Sequence, residues 1–156
     1  MLVEVKVKVA RIIDGKTRKR TETFIKPDCE LFVEAEQAVM ERLAQEQTDG
    51  LVDNFEIQSL RISPIKEVCT QFNGEFEYIA TLTDTFHGDD GTEKVMKYKV
   101  LLWANGHSDA VRNIQTLVRQ GYDMHIEGIK EVDYEYLYPT LDDETTVEET
   151  EDGISE

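Results

Sequence analysis

Ile62-Ser63-Pro64-Ile65-Lys66-Glu67-Val68 returns as Ile126-Glu127-Gly128-Ile129-Lys130-Glu131-Val132, so one Ile-x-x-Ile-Lys-Glu-Val phrase closes each of two successive segments. Self-similarity of this kind outranks local propensity as a guide to architecture, because a repeated sequence folds as repeated units. Upstream of the first phrase lies an apolar helical pattern containing Ala38-Val39, and upstream of the second lies one containing Ala110-Val111. Two strand-like runs joined by a polar turn precede each helix. Pro64 and Gly128 occupy the same place in the phrase, where the apolar alternation changes phase, and such a change predicts a bulge. The reading is an α+β protein: a tandem duplication of a strand-strand-helix-strand (ββαβ) unit over residues 1–70 and 71–139. Neither unit alone buries enough apolar surface, so the two are expected to share a core as one pseudo-twofold domain.

Along the chain, Val3, Val5, Val7 and Val9 alternate with Glu4, Lys6 and Lys8, the period of a strand with one buried face. Asp14-Gly15-Lys16 supplies turn chemistry, and Arg20 to Ile25 returns as the second strand of a hairpin. Lys16-Thr17-Arg18-Lys19-Arg20 then forms the hairpin tip, with four bases in five residues. A helix from about Val33 to Gln47 places Ala35, Ala38, Val39 and Leu43 on one face. In the second unit Phe76, Tyr78, Ala80 and Leu82 alternate, His87 to Gly91 make the connection, and Val100-Leu101-Leu102-Trp103 is apolar on both faces, as in a central strand. Its helix, about Asp109 to Gln120, carries Ala110, Val111, Ile114, Leu117 and Val118 on one stripe, with Gly121 as the stop.

The formal charge is -16, from 33 acids and 17 bases. Eight acids and no base fall between Thr140 and Glu156, which leaves 25 acids against 17 bases in the body, near -8. Low apolar content and dense like charge predict a disordered acidic tail over 140–156. A chain this acidic repels duplex DNA at long range, though a local basic patch can still bind. Cys29 and Cys69 are far apart and form neither a Cys-x-x-Cys pair nor a secreted disulfide pattern. Charged Glu4, Lys6 and Lys8 interrupt the N-terminal run, and no stretch approaches the ~18 apolar residues of a membrane span. A cytoplasmic setting without membrane contact is the expectation.

Val3-Glu4-Val5-Lys6-Val7, Glu34-Ala35-Glu36, Phe55-Glu56-Ile57 and the run from Tyr122 to Val132 resemble an uncharacterised, internally duplicated domain family of gut-type bacteria and their phages. The resemblance spans Met1 to about Pro139. This chain lacks that family's opening tryptophan and has Val33 where a capping threonine is common. The resemblance brings no catalytic residues, and it implies a phage or mobile-element setting.

No catalytic motif stands out, so the protein is not expected to be an enzyme, and no cofactor or metal is expected. Asp84, His87, Asp89 and Asp90 cluster at one hairpin, but their spacing fits no calcium loop and turn residues are ordinarily Gly and Asp. His107 and His125 read as solvent-facing. The basic residues Lys16, Arg18, Lys19 and Arg20 are the candidate nucleic-acid contacts, with Phe72, Phe76, Trp103, Tyr134 and Tyr136 considered as stacking surfaces. In the acidic tail, Asp142, Asp143, Glu144, Glu148 and Glu149 are candidates for binding a basic host or replication protein. Two functions follow: single-stranded nucleic-acid binding with a regulatory tail, or an acidic module that inhibits a nucleic-acid-handling enzyme through acids such as Glu34, Glu36 and Glu41. A structural role in a phage particle is a third.

Overall fold

The computed structural model of the protein describes residues 1–119 and 124–138. Strands β1 (Val3–Ile13) and β2 (Lys16–Lys26) form an antiparallel hairpin whose register runs without interruption from Val3 opposite Lys26 to Ile13 opposite Lys16. Asp14 and Gly15 are its only loop, with φ of 53° and 76°. Two successive left-handed residues make the type I′ turn whose twist matches that of the strands, and Asp-Gly tolerates it. Val3, Val5, Val7 and Val9 therefore all face one way, with Phe24, into a core closed by Ala35, Val39 and Leu43 of α1 (Phe32–Thr48). The Glu34 carboxylate accepts the backbone N–H groups of Glu30 and Leu31, at 3.2 and 2.9 Å, which satisfies donors at the positive end of that helix. Strand β3 (Val52–Ile62) and the short β8 (Tyr134–Tyr136) complete this sheet in the order β3-β1-β2-β8.

The second sheet is built on a longer hairpin, β5 (Phe76–His87) with β6 (Glu93–Ala104). Strand β7 (His125–Val132) lies antiparallel on β5, and β4 (Ile65–Cys69) lies parallel on β6, giving the order β4-β6-β5-β7. Leu101 and Leu102 are adjacent on β6 and both fully buried, as the two-sided apolar run requires of a central strand. Ala110, Ile114 and Leu117 of α2 (His107–Arg119) close a separate core with Tyr78, Ala80, Leu82, Val100 and Leu102. The Asp109 carboxylate accepts the Asn105 N–H at 3.0 Å and the Asn105 side chain accepts that of Glu75 at 3.1 Å, pinning the helix start to the loop before β5.

This architecture corrects the α+β duplication expected from the sequence. Strands make up 55% of the described residues against 22% helix, which makes the structure mostly β. The basic run Lys16 to Arg20, read as a hairpin tip, is strand: β2 starts at Lys16, directly after a two-residue turn. Each sheet also takes a fourth strand, β4 or β8, that a strand-strand-helix-strand unit does not contain. The chain divides into two compact units, one comprising Val3–Arg61 with Met1 and residues 136–138, the other Ile62–Glu135 with Leu2. Nor are the two Ile-x-x-Ile-Lys-Glu-Val phrases equivalent. The first breaks at Ser63-Pro64, so Ile62 ends β3 in one sheet while Ile65 to Val68 enter the other as β4. The second stays inside β7, where Glu127 is the extra residue of a bulge between the pairs Thr81–Gly128 and Leu82–Ile126. Proline has no N–H for a ladder, whereas glycine accepts a bulge, and this difference sends the two phrases apart. Gly121 and the acidic residues from Thr140 onward lie outside the described residues.

Gly74 supplies a direct test of the second unit's packing. A Cβ there would meet the Ala104 backbone at 2.3 Å, whereas one on Gly106 meets nothing within 4 Å. Gly74→Ala is expected to lower stability by about 1–3 kcal/mol, the range for overpacking, and Gly106→Ala to change it little. Urea unfolding midpoints of the two variants check this.

Candidate nucleic-acid interface

Period-two alternation decides what the basic run of β2 can do. Phe24 faces α1, so Lys16, Arg18, Arg20, Glu22 and Lys26 share that face, while Thr17 and Lys19 point the opposite way. The four bases expected at one tip are therefore divided between two sides of a strand. Arg18 stands directly opposite Arg11 in the register, a like-charge pair that would be destabilising if unanswered. Glu22 answers it. Its carboxylate accepts Arg11 Nε at 2.5 Å and Nη2 at 2.7 Å, a bidentate pair, and also Arg20 Nε at 2.6 Å. Glu46, near the end of α1, accepts a further bond from Arg11 at 3.2 Å. Burial pushes the Glu22 carboxyl up, but the hydrogen bonds from Arg11 and Arg20 outweigh it and hold the group below its ordinary value. The same bonds raise the Arg11 guanidinium. Arg20 is thus committed to Glu22, while Lys16 and Arg18 are exposed on the same face.

At the other end of that face, Lys26, Glu41, Arg42, Tyr136 and Tyr138, with Ala38 and Leu137, line a groove of about 460 Å³. The Leu137 N–H donates to the Ile25 carbonyl at 2.8 Å, which brings the tyrosines beside β2. Their rings meet edge to face, with centroids 4.8 Å apart and planes at 84°. Burial, with Asp28 and Tyr138 nearby, raises the Tyr136 hydroxyl, so it stays a protonated donor at neutral pH. Because β8 is three residues long and β2 eleven, β8 covers only part of β2's outer edge. Lysine and arginine on such an edge also discourage pairing with a foreign strand.

The remaining candidates are dispersed. Asp84, His87, Asp89 and Asp90 lie on or beside the β5–β6 connection, where Asp90 accepts the Thr92 N–H and hydroxyl at 3.1 and 2.7 Å and is held below its ordinary value by them. Among the described residues no group of three or more His, Cys, Asp or Glu is placed to hold a metal. Cys29 and Cys69 are buried thiols; burial raises both, Cys69 to about 12, which disfavours the thiolate a nucleophile needs. His107 and His125 are exposed. Phe72 packs on the second core, Trp103 is half-buried, and Phe76 is exposed. Asp142, Asp143, Glu144, Glu148 and Glu149 fall outside the described residues. Sequence reading missed Lys26, Glu41, Arg42 and Tyr138 as one site. Tyr138 had a signal, in the alternation of Tyr134, Tyr136 and Tyr138, but the helix residues had none.

The fold and this surface define a mostly β protein with two separately cored units and a cationic strand face leading to a tyrosine groove. The chain belongs to the family described as Domain of unknown function (DUF4494), whose model matches residues 1–140. No curated protein and no solved structure matches it. Among the described residues no helix is long and apolar enough to cross a membrane.

Two carboxylates make opposite pH predictions. Glu22, lowered in the fold, contributes stability that is present above the ordinary carboxyl value and lost as pH falls through its folded one. Glu22→Ala, which leaves the largely buried Arg11 without its main partner, should cost roughly 3 kcal/mol, and Arg20→Ala under about 1 kcal/mol. Glu77 behaves the other way: burial raises it to about 7 despite the Tyr134 N–H that it accepts, and Asp133 and Glu135 push in the same direction as burial. Its contribution is present below about 4.5 and lost as pH climbs to about 7. Discounted for the solvent that reaches it, the effect is on the order of 1 kcal/mol, and Glu77→Gln should flatten it in melting temperatures taken from pH 5 to pH 8.

Proposed function

We propose that the protein is a non-catalytic accessory protein of a phage or mobile element, acting in the cytoplasm, that binds single-stranded nucleic acid along the α1 side of β2. The observation that carries this reading is the alignment of Lys16, Arg18 and Lys26 on one strand face ending at the Tyr136–Tyr138 groove. Ten residues of strand give a track of about 33 Å, at ~3.3 Å per residue, long enough to follow several phosphates. Unpaired bases offer faces to stack on tyrosine, which a duplex does not, and this favours a single strand over a double one. The overall acidity then limits binding to this local surface and makes it weak and salt-sensitive. In this reading the acids Asp142, Asp143, Glu144, Glu148 and Glu149 compete for the same cations. The inhibitor reading has less support, because Glu34 is occupied in capping α1 and Glu41 sits among cations.

The strand alternation makes the reading testable. In fluorescence anisotropy with a labelled single-stranded oligonucleotide, the chain ended at Pro139 should bind more tightly than the full chain at low salt. Replacing both Lys16 and Arg18 by alanine should weaken binding and reduce the slope of log affinity against log salt by about 1.4, at ~0.7 per lost phosphate contact. Lys19→Ala, on the opposite face, should change little. Equal loss from Lys19→Ala and Arg18→Ala, or no binding by either chain at low salt, would contradict the proposal.

A further inference from the structure

The β5–β6 hairpin is longer than the sheet built on it. Strand β7 stops pairing with β5 at Thr83–His125 and β4 pairs with β6 only from Lys99 onward, yet β5 and β6 stay in register from Asp84–Met96 to His87–Glu93. Among the described residues these last rungs form a two-stranded ribbon with no strand on either outer edge. A lone two-stranded ribbon is marginally stable in water, and independent stability takes a third strand or more with an apolar face. This ribbon carries apolar side chains all the same: Phe86, Val95 and Met96 are exposed, Val95 at 59%. Phe86 and Met96 lie on the α2 side, in step with buried Leu82, while Val95 lies on the opposite side with Glu93 and Lys97.

The outer edge of β6 reads Glu93-Lys94-Val95-Met96-Lys97, and it is complementary to itself. Set antiparallel to a second copy about a twofold axis at Val95, it places Glu93 of each chain opposite Lys97 of the other and Val95 opposite Val95, all on one face. On the other face Lys94 comes opposite Met96, whose apolar surface its methylene stem covers. A slip of one residue in either direction loses both Glu–Lys pairs, and one of the two slips sets Lys94 opposite Lys97. We propose that this edge is a self-association surface, through which two copies of the chain join their second sheets antiparallel in the order β5-β6-β6-β5. Lys97 already meets Glu127 of its own chain at 3.2 Å, but both side chains are exposed, and an exposed pair holds its lysine weakly. Lysines of one sign along an edge blunt such pairing, whereas here the signs are arranged so that a twofold axis brings opposite charges together. The contact is short, below the ~1,000 Å² of a stable interface, which makes the dimer weak and concentration-dependent.

Sedimentation of the full chain from about 10 µM to about 1 mM covers the range of a weak dimer, and the native chain should pass from monomer toward dimer across it. Glu93→Lys sets lysine against lysine at both ends of the contact, and Lys97→Glu sets glutamate against glutamate, so each variant should dimerise at least ~5-fold more weakly. Both positions are exposed, so neither substitution disturbs the core. An equal mixture of the two variants restores both opposite-charge pairs, because one chain then carries only lysine at these positions and the other only glutamate. The mixture should form a mixed dimer about as tight as the native one, and a single chain carrying both substitutions should recover self-association. A native chain that stays monomeric throughout overturns the proposal. So does a mixture no more associated than its separate components, which would place any dimer contact elsewhere on the molecule.

Discussion

The two-residue turn at Asp14-Gly15 fixes everything that follows from the first sheet. It sets Ile13 opposite Lys16, and with that register the side of every β2 residue is determined. A slip of one residue would send Phe24 away from Val3, Val5, Val7 and Val9 and carry Lys16, Arg18 and Arg20 off the α1 face. The energetic pressure against such a slip is large, because those valines and Phe24 are fully buried with Val39 and Leu43. The apolar core thus determines the arrangement of surface charge along the strand.

That register also creates a problem which the ion-pair network resolves. It puts Arg11 opposite Arg18, and it places Arg11 where α1 ends and little water remains. A largely buried guanidinium needs compensation on several of its donors, and Glu22 and Glu46 provide it from two different elements. The carboxylates therefore consume one part of the positive charge and leave another part available. Glu22 holds Arg11 and Arg20, so the exposed bases of that face are Lys16 and Arg18 toward the turn, while half-buried Lys26 lines the groove and donates to the Pro27 carbonyl. The bases of the β1–β2 hairpin are by this route divided into structural and surface cations.

Much of this was legible in the sequence at the level of elements. The valine alternation of β1, the buried stripes of both helices and the two-sided burial of Val100 to Leu102 follow directly from apolar periodicity. Two things were obscured. Dense charge reads as a loop tip over Lys16 to Arg20, although a two-residue turn lets a basic run begin a strand at once. The repeated Ile-x-x-Ile-Lys-Glu-Val phrase suggests structural equivalence, yet Ser63-Pro64 ends β3 and passes the chain to another sheet, whereas Glu127-Gly128 bulges within β7. Identical words of four residues do not carry register; the residues between them do. The groove was out of reach for a different reason. It joins residues of β2, α1 and the segment after β8, and only tertiary structure brings Lys26 and Arg42 to Tyr138.

The most direct test of the α1-side face of β2 as the working surface is to map it residue by residue. Backbone amide chemical shifts of isotope-labelled full chain, followed during titration with a single-stranded oligonucleotide at low salt, report where the ligand lies. The account predicts changes concentrated on Lys16 to Arg20, Lys26 and residues 136–138, with the second sheet and α2 unmoved. Shifts centred instead on the β5–β6 hairpin or on α2, or no shifts at any ratio, would contradict it.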